Sequence, residues 1–404
     1  TARAVVVAAG STRQLLTECE AILASLRACP QTPKKNKVLL RAFALATKKH
    51  CVRADIPAGH ARLGFVAKDA QQMAEQLEGA VKHLQSHIRD TSWTLPRQGV
   101  TFRSTALVSG RGRSSKVAAL FSGQGSQYVN MFDEVAMNWP TFRQSVVAMD
   151  AAGDKVCGGS ASAALYPRAA YGSEEKTKEA ADKRRLVKLA APTTVACSIG
   201  SYDIFNLAGF KPDFVAGHSL GELSALYAAG ALKRDEVCKL VWHRSQAMAT
   251  NTEGSGNGGM AAVIGDGALN ISITVPGVWI ANRNSPRQVV ITGGAAEVKR
   301  QSALLESQGF KVVALSVANA YHSPHMQGAS DYFMKLLSTA QVEAPRKAKV
   351  FSNVTAEAYP VNQSSVREIL SRHITSSVRF VEQIENMYAQ GARVFVEFGP
   401  RNTL

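Results

Sequence analysis

Most of the features that assign a protein quickly are missing from this sequence. No run of roughly 18 apolar residues exists, so no membrane-spanning helix is expected. The opening stretch, TARAVVVAAGST, has too short an apolar run for a secretory signal. Thr1 stands where an initiator methionine would be, and VFVEFGPRNTL ends just after an apparent strand, so a piece of a longer polypeptide is expected. Charged residues make up only 19% of the 404, against 46% hydrophobic, which excludes a disordered chain and provides core for two or three domains. The six cysteines (19, 29, 51, 157, 197 and 238) form no C-x-x-C pair. That argues against a disulfide frame or a zinc site and for buried, reduced thiols in a cytoplasmic protein.

Acidic residues are also in deficit, 31 against 47 Lys and Arg, for a net charge of +16. The basic clusters at Lys34 to Lys37, Arg111 to Lys116 and Lys176 to Lys188 read first as solvated loops and helix faces, with an anionic partner, either an acidic protein or a polyphosphate compound, as the alternative. Aromatic residues do not interleave with these clusters and no nucleic-acid motif occurs, so no nucleic-acid partner is expected. Two glycine-rich stretches fail as phosphate loops. Gly123-Gln124-Gly125 lacks the third glycine of a dinucleotide fingerprint, and GSGNGG at 254–259 is not followed by Lys-Ser/Thr. The pairs His83/His87 and His322/His325 lack a third ligand, so no metal is expected.

What is present divides into segments. Residues 1–95 read as a small α/β unit, with strands at RAVVVAAG and ARLGFVAKD and helices over 11–28 and 70–88. A Gly/Ser/Arg-rich connector is expected over 96–115. A large α/β subdomain then occupies 116–257 and 319–404. Its buried strands are KVAALF, the run before Gly217, KAKVFSNVTA and ARVFVEFGP. Between these pieces, 258–318 reads as an inserted strand, strand, helix, strand unit, with VWIANRNSPRQVVITGG as its second strand.

The chemistry lies at Gly217-His218-Ser219-Leu220-Gly221, where an apolar run ends and good helix formers begin. G-x-S-x-G between strand and helix describes a nucleophile elbow, a sharp turn that presents a serine hydroxyl at the carboxyl end of a sheet. Without such a role the same residues are an ordinary strand-to-helix turn. A serine needs a base. His218 adjoins it and is expected to point away, and His243 is expected to pack within a helix. His322, in SVANAYHSPHMQGA, sits where a strand ends and Pro324 permits a helix, as suits a base carried into a cleft.

Five segments in order, FSGQGSQ, GHSLGE, HRSQAM, NAYHSPHM and FVEFGP, resemble the malonyl-CoA:acyl-carrier-protein acyltransferase family. They are most similar to the acyltransferase domains of polyketide and polyunsaturated fatty acid synthases, and residues 1–95 look like the adaptor that follows a ketosynthase. The resemblance implies an α/β-hydrolase-like core with a largely parallel sheet and a ferredoxin-like small subdomain at 258–318. It implies Ser219 as nucleophile, His322 as base and the N–H groups of Gln124 and Leu220 as oxyanion hole. Arg244 matches the arginine that binds a malonyl carboxylate, where a guanidinium fork can form two parallel hydrogen bonds. Tyr321, before the histidine, resembles malonyl-selective members, and Met248 and Asn284 are taken as further substrate-binding positions. The carbonyl of His373, where glutamine is common, is expected to orient His322. The implied substrates are malonyl-CoA and the phosphopantetheine thiol of an acyl carrier protein, with no bound cofactor and a ketosynthase domain as neighbour. A serine thioesterase would share the elbow, base and oxyanion hole.

Overall fold

The computed structural model describes residues 3–28, 39–40, 56–107, 115–168, 189–250, 258–315, 317 and 319–404. The basic clusters at 34–37 and 176–188, Cys29, Cys51 and residues 111–114 lie outside the described residues. Two compact units result, Thr1–Ser115 and Lys116–Leu404.

Among the described residues, the first unit has a four-stranded antiparallel sheet and the two long helices given below. Its strands are β1 (Arg3–Ala9), β2 (Ala61–Ala67), β3 (Ser92–Leu95) and β4 (Val100–Arg103), in the order β1-β2-β4-β3. Helix Thr12–Ala28 buries Leu15, Cys19, Leu23 and Leu26, one face at helical spacing. Helix Ala70–Ser86 starts at Asp69, whose carboxylate accepts from the Gln72 N–H at 2.9 Å. The expected connector is shortened by this sheet. Val100–Arg103 alternates buried and more exposed residues and pairs with both β2 and β3, so the chain from 92 to 103 is a hairpin of the first unit and takes 96–103 out of the connector.

In the second unit, β5 (Lys116–Phe121) and β6 (Phe214–Gly217) lie side by side in a parallel sheet. Three antiparallel strands follow in sequence: β7 (Gly258–Ile264), β8 (Val278–Ser285) and β9 (Gln288–Gly294). Next come β10 (Lys311–Ala314), β11 (Lys349–Phe351) and β12 (Ala392–Phe398). The large sheet runs β11-β6-β5-β12 and every pair is parallel. Its central strands are unbroken apolar runs because both faces are covered. Helix Ala190–Leu207 is buried almost all round, and Phe121, Val195, Val215, Leu223 and Trp242 share one core.

The inserted sheet runs β10-β7-β9-β8, the strand order of a ferredoxin-like unit, with helix Ala295–Ser307 before its last strand. One expectation fails here. VWIANRNSPRQVVITGG is a hairpin of two strands, β8 and β9, because Ser285-Pro286 breaks the run and Pro286 has no N–H for a ladder. The segment between β7 and β8 contains only a 3-10 turn, Ala268–Asn270.

Candidate active site

β6 ends in a turn so tight that its glycines cannot carry side chains. A Cβ on Gly217 would lie 1.9 Å from the carbonyl carbon of Gly221, and one on Gly221 would lie 2.1 Å from the carbonyl oxygen of Phe121. Ser219 takes the left-handed conformation, φ 49°, and helix Gly221–Ala228 begins two residues later. Its hydroxyl thereby leaves the turn toward His322, with Oγ 2.7 Å from Nε2. His322 also has positive φ, 59°, in the loop before Pro324. Its Nδ1 lies 2.9 Å from the carbonyl oxygen of Ser376. A carbonyl only accepts, so Nδ1 holds the proton and the bare Nε2 faces the serine hydroxyl. Burial, then the charges of Arg244 and His218, pull the His322 pKa down to about 3, against the carbonyls of Ser376 and His373. The imidazole is therefore neutral near pH 7.

The orienting carbonyl thus differs from the expected one. The turn closing helix Gln363–Ser371 brings the Ser376 carbonyl, three residues past 373, into hydrogen-bond range, and that of His373 acts less directly. The His373 ring is itself buried, edge-on to His322 at 5.9 Å and with Nε2 3.7 Å from Glu222 Oε2, and neither nitrogen has a hydrogen-bond partner within 3.5 Å among the described residues.

Arg244 is 1% exposed, on helix Arg234–Thr250. None of its three guanidinium nitrogens has a hydrogen-bond partner among the described residues. Burial lowers its pKa from 12.5 to about 10, partly offset by Tyr321 and Glu222. A buried cation with five unused donors is a site for an anion shaped like a carboxylate. Met248, one helical turn on, is buried, and its carbonyl accepts from Asn319 Nδ2 at 2.9 Å. The same Nδ2 lies 3.4 Å from the Tyr321 hydroxyl, which fixes that ring beside Arg244.

The loop after β5 carries Gln124 beside the elbow. Neither its N–H nor that of Leu220 donates to a protein group among the described residues. A cleft of about 280 Å³ opens there, lined by Gln124, His218, Asn284 and Phe380 among others. Asn284 on β8 accepts from His218 Nε2 at 2.7 Å, so His218 ties the inserted sheet to the elbow. His243 bonds the Tyr332 hydroxyl at 2.8 Å, and His83 stacks on His87. No group of three metal-ligating side chains occurs among the described residues. Of the four described cysteines three are buried and Cys157 is exposed, contrary to the expected burial.

Two residues of the site were missed. Asn353 follows β11, and its Oδ1 accepts from the Ser219 N–H at 2.7 Å. Glu222, fully buried, accepts from the Asn353 N–H at 2.7 Å and from the Tyr359 hydroxyl. Asn353 heads a glycosylation sequon, Asn353-Val354-Thr355, but is 1% exposed, which excludes it as an acceptor in the fold. Its place at the carboxyl end of a parallel strand was the available signal.

A serine hydroxyl, a neutral imidazole, two free N–H groups and a buried guanidinium can together form and break an acyl ester. Residues 119–404 match the family model described as the acyl transferase domain. The chain belongs to that family. It is 42% identical over 409 residues to one of the subunits of the polyunsaturated fatty acid synthase of Thraustochytrium sp., covering 99% of this chain and 14% of that one. It is 34% identical to the malonyl CoA-acyl carrier protein transacylase of Bacillus subtilis, over 72% of this chain and 88% of the relative. Among solved structures, an acyl carrier protein S-malonyltransferase from Vibrio cholerae aligns with TM-score 0.61 and 31% identity, over 71% of this chain and 90% of that one. The acyltransferase domain of an iterative enediyne polyketide synthase aligns over 99% of this chain and 86% of that one. Its TM-score is 0.71 and its identity 23%, a likeness of fold. The acyltransferase thus spans about one seventh of the synthase polypeptide and most of the stand-alone transacylase.

Proposed function

We propose that this acyltransferase moves a malonyl group from malonyl-CoA, through an ester on Ser219, to the phosphopantetheine thiol of an acyl carrier protein. The observation that carries this reading is the buried, unpartnered guanidinium of Arg244 in the same cluster as the Ser219–His322 pair. A malonyl group brings a free carboxylate, and burying one unpaired is costly, so a site for it needs a buried cation. An acetyl or long-chain acyl group leaves that cation unmatched, and selectivity follows from the mismatch. Tyr321 fills the space that a branch on the acyl chain requires.

His322 Nε2 takes the Ser219 proton as Oγ attacks the thioester carbon. The oxyanion is held by the N–H groups of Gln124 and Leu220, each donor contributing about 3 kcal/mol in sites of this kind. The C–S bond breaks and the imidazolium returns its proton to the leaving CoA sulfur. In the second half the carrier thiol gives its proton to His322, its sulfur attacks the seryl ester, and Ser219 regains its hydrogen. Protons and acyl group balance in both halves with no redox or metal step. The excess of basic residues suits CoA phosphates and an acidic carrier domain. A ketosynthase domain on the same polypeptide and a cytoplasmic location complete the proposal. No helix among the described residues is long and apolar enough to cross a membrane.

Mixing the protein with malonyl-CoA and digesting it for mass spectrometry tests this. A malonyl ester on the peptide bearing Ser219, discharged by carrier protein, is the expected result. Prompt release of free malonate with no ester makes the protein a thioesterase, and no labelling by any acyl-CoA makes it a docking domain.

A further inference from the structure

Beneath the elbow lies a buried polar chain that the transfer mechanism leaves unused. Asn353 grips the elbow from both sides: Oδ1 accepts from the N–H of Ser219 at 2.7 Å, and Nδ2 donates to the carbonyl of Gly217 at 2.6 Å. These partners are 134 and 136 residues away in sequence, so only the assembled sheet brings them together. The amide is held in turn. Its own N–H donates to Glu222 Oε2 at 2.7 Å, the other carboxyl oxygen accepts from the Tyr359 hydroxyl, and the Asn353 carbonyl accepts from the Arg379 N–H at 3.1 Å. Asn353 is 1% exposed, Glu222 0% and Tyr359 4%, so water does not compete for these bonds.

We infer that Asn353 is the positioning residue of the nucleophile, an amide clamp that holds Ser219 in its left-handed conformation and so sets the line from Oγ to His322. A non-glycine residue at φ 49° is unfavourable by itself and persists only where its surroundings over-determine it. The clamp supplies that determination on the one N–H and the one carbonyl that bracket the turn. It also assigns the donors of the site. With its N–H committed to Asn353, Ser219 cannot contribute it to an oxyanion, which leaves the free N–H groups at 124 and 220. Glu222 and Tyr359 hold the clamp through its backbone N–H.

The inference rests on the proposed acyl transfer, and the test separates the two. Active sites are counted by fluorophosphonate titration, and the malonyl loading constant per titrated site is then measured by rapid quench, with KM and melting temperature alongside. Asn353→Ala is expected to slow loading about 100-fold per titrated site, the scale of a displacement near 1 Å, with KM within about threefold. Asn353→Asp keeps the acceptor for the Ser219 N–H and is expected to recover part of the rate. Where Asn353→Ala does not fold, Tyr359→Phe, which removes only the far hydroxyl, is expected to show a smaller loss of the same kind. A per-site loading constant within about threefold of wild type in the folded variant, whatever its melting temperature, overturns the clamp and reduces Asn353 to a structural residue. Absence of any seryl ester in the wild-type protein overturns the transfer reading instead.

Discussion

Replacing Arg244 with methionine should make the free protein more stable and the enzyme far worse. Arg244 is 1% exposed, and none of its guanidinium nitrogens has a hydrogen-bond partner among the described residues. Its pKa falls from 12.5 to about 10, mainly through burial. At about 1.4 kcal/mol per tenfold change, that corresponds to a charge held at a cost of about 3 kcal/mol. Methionine has similar reach and no charge, and an apolar replacement of a buried, poorly matched ion is often stabilising by about 1–4 kcal/mol. Imperfect packing removes part of the gain, so a net gain of about 1–2 kcal/mol is expected, which is a rise of several degrees in melting temperature for a unit of this size.

Malonyl loading moves the other way. Removing one partner of a buried, hydrogen-bonded ion pair costs about 3–5 kcal/mol, or about two to four powers of ten in the loading constant. Acetyl-CoA, which has no carboxylate to lose its partner, should keep or improve its rate. The assay is differential scanning calorimetry beside quench-flow loading with the two acyl-CoAs. A variant that melts several degrees lower while malonyl loading stays within about threefold of wild type refutes the reasoning at both ends.

Two further outcomes follow from the same site. Burial lowers the pKa of His218, of His322 (to about 3) and of His373, so acidification below their unfolded value of 6.5 charges the unfolded chain first and removes stability, by about 1.4 kcal/mol per pH unit for His322. Glu222, raised to about 7 by burial, opposes this between 7 and 4.5 because the folded form takes the proton first, but one carboxyl does not offset three imidazoles. The melting temperature should therefore fall between pH 7.5 and 5, and a rise over that interval contradicts the assignment. Gly217→Ala should cost about 3 kcal/mol by urea titration, since the added methyl overlaps the Gly221 carbonyl; an unchanged midpoint shows that the turn can open.

The sequence exposed the elbow and the base because each rests on local rules. Gly217 and Gly221 mark a backbone contact that excludes Cβ atoms, and Pro324 fixes the turn after His322. The resemblance added Arg244, whose helix alone gives no reason to expect a buried charge. What stayed hidden depends on distance in sequence. Asn353 reads as one residue inside the expected strand KAKVFSNVTA until β11 is placed beside β6, and Glu222 reads as an ordinary acid in the first turn of a helix. The Ser376 carbonyl was displaced from the expected His373 because the pitch of a short turn, rather than residue type, decides which oxygen faces the ring. The one strand that proved to be two failed for a simpler reason: the apolar runs 278–281 and 289–291 were read as one strand although the polar stretch 282–288, with Pro286 inside it, separates them into a hairpin.

On the proposed reading, the charge that anchors the substrate also prepares the base. Among the causes that depress the His322 pKa, the positive charge of Arg244 stands second to burial. In the empty site, burial first and the unmatched guanidinium second keep the imidazole neutral and its Nε2 free to accept a proton. When a carboxylate docks on Arg244, that charge is cancelled just as the serine proton must move, and the imidazole becomes a stronger base at the moment it is used. An uncharged acyl group brings no such compensation, so the imidazolium must form beside a bare guanidinium and the barrier stays high. On this account Arg244 discriminates twice, once in binding the diacid and once in the proton transfer. The second effect reaches the rate constant itself, which a selective pocket alone does not do.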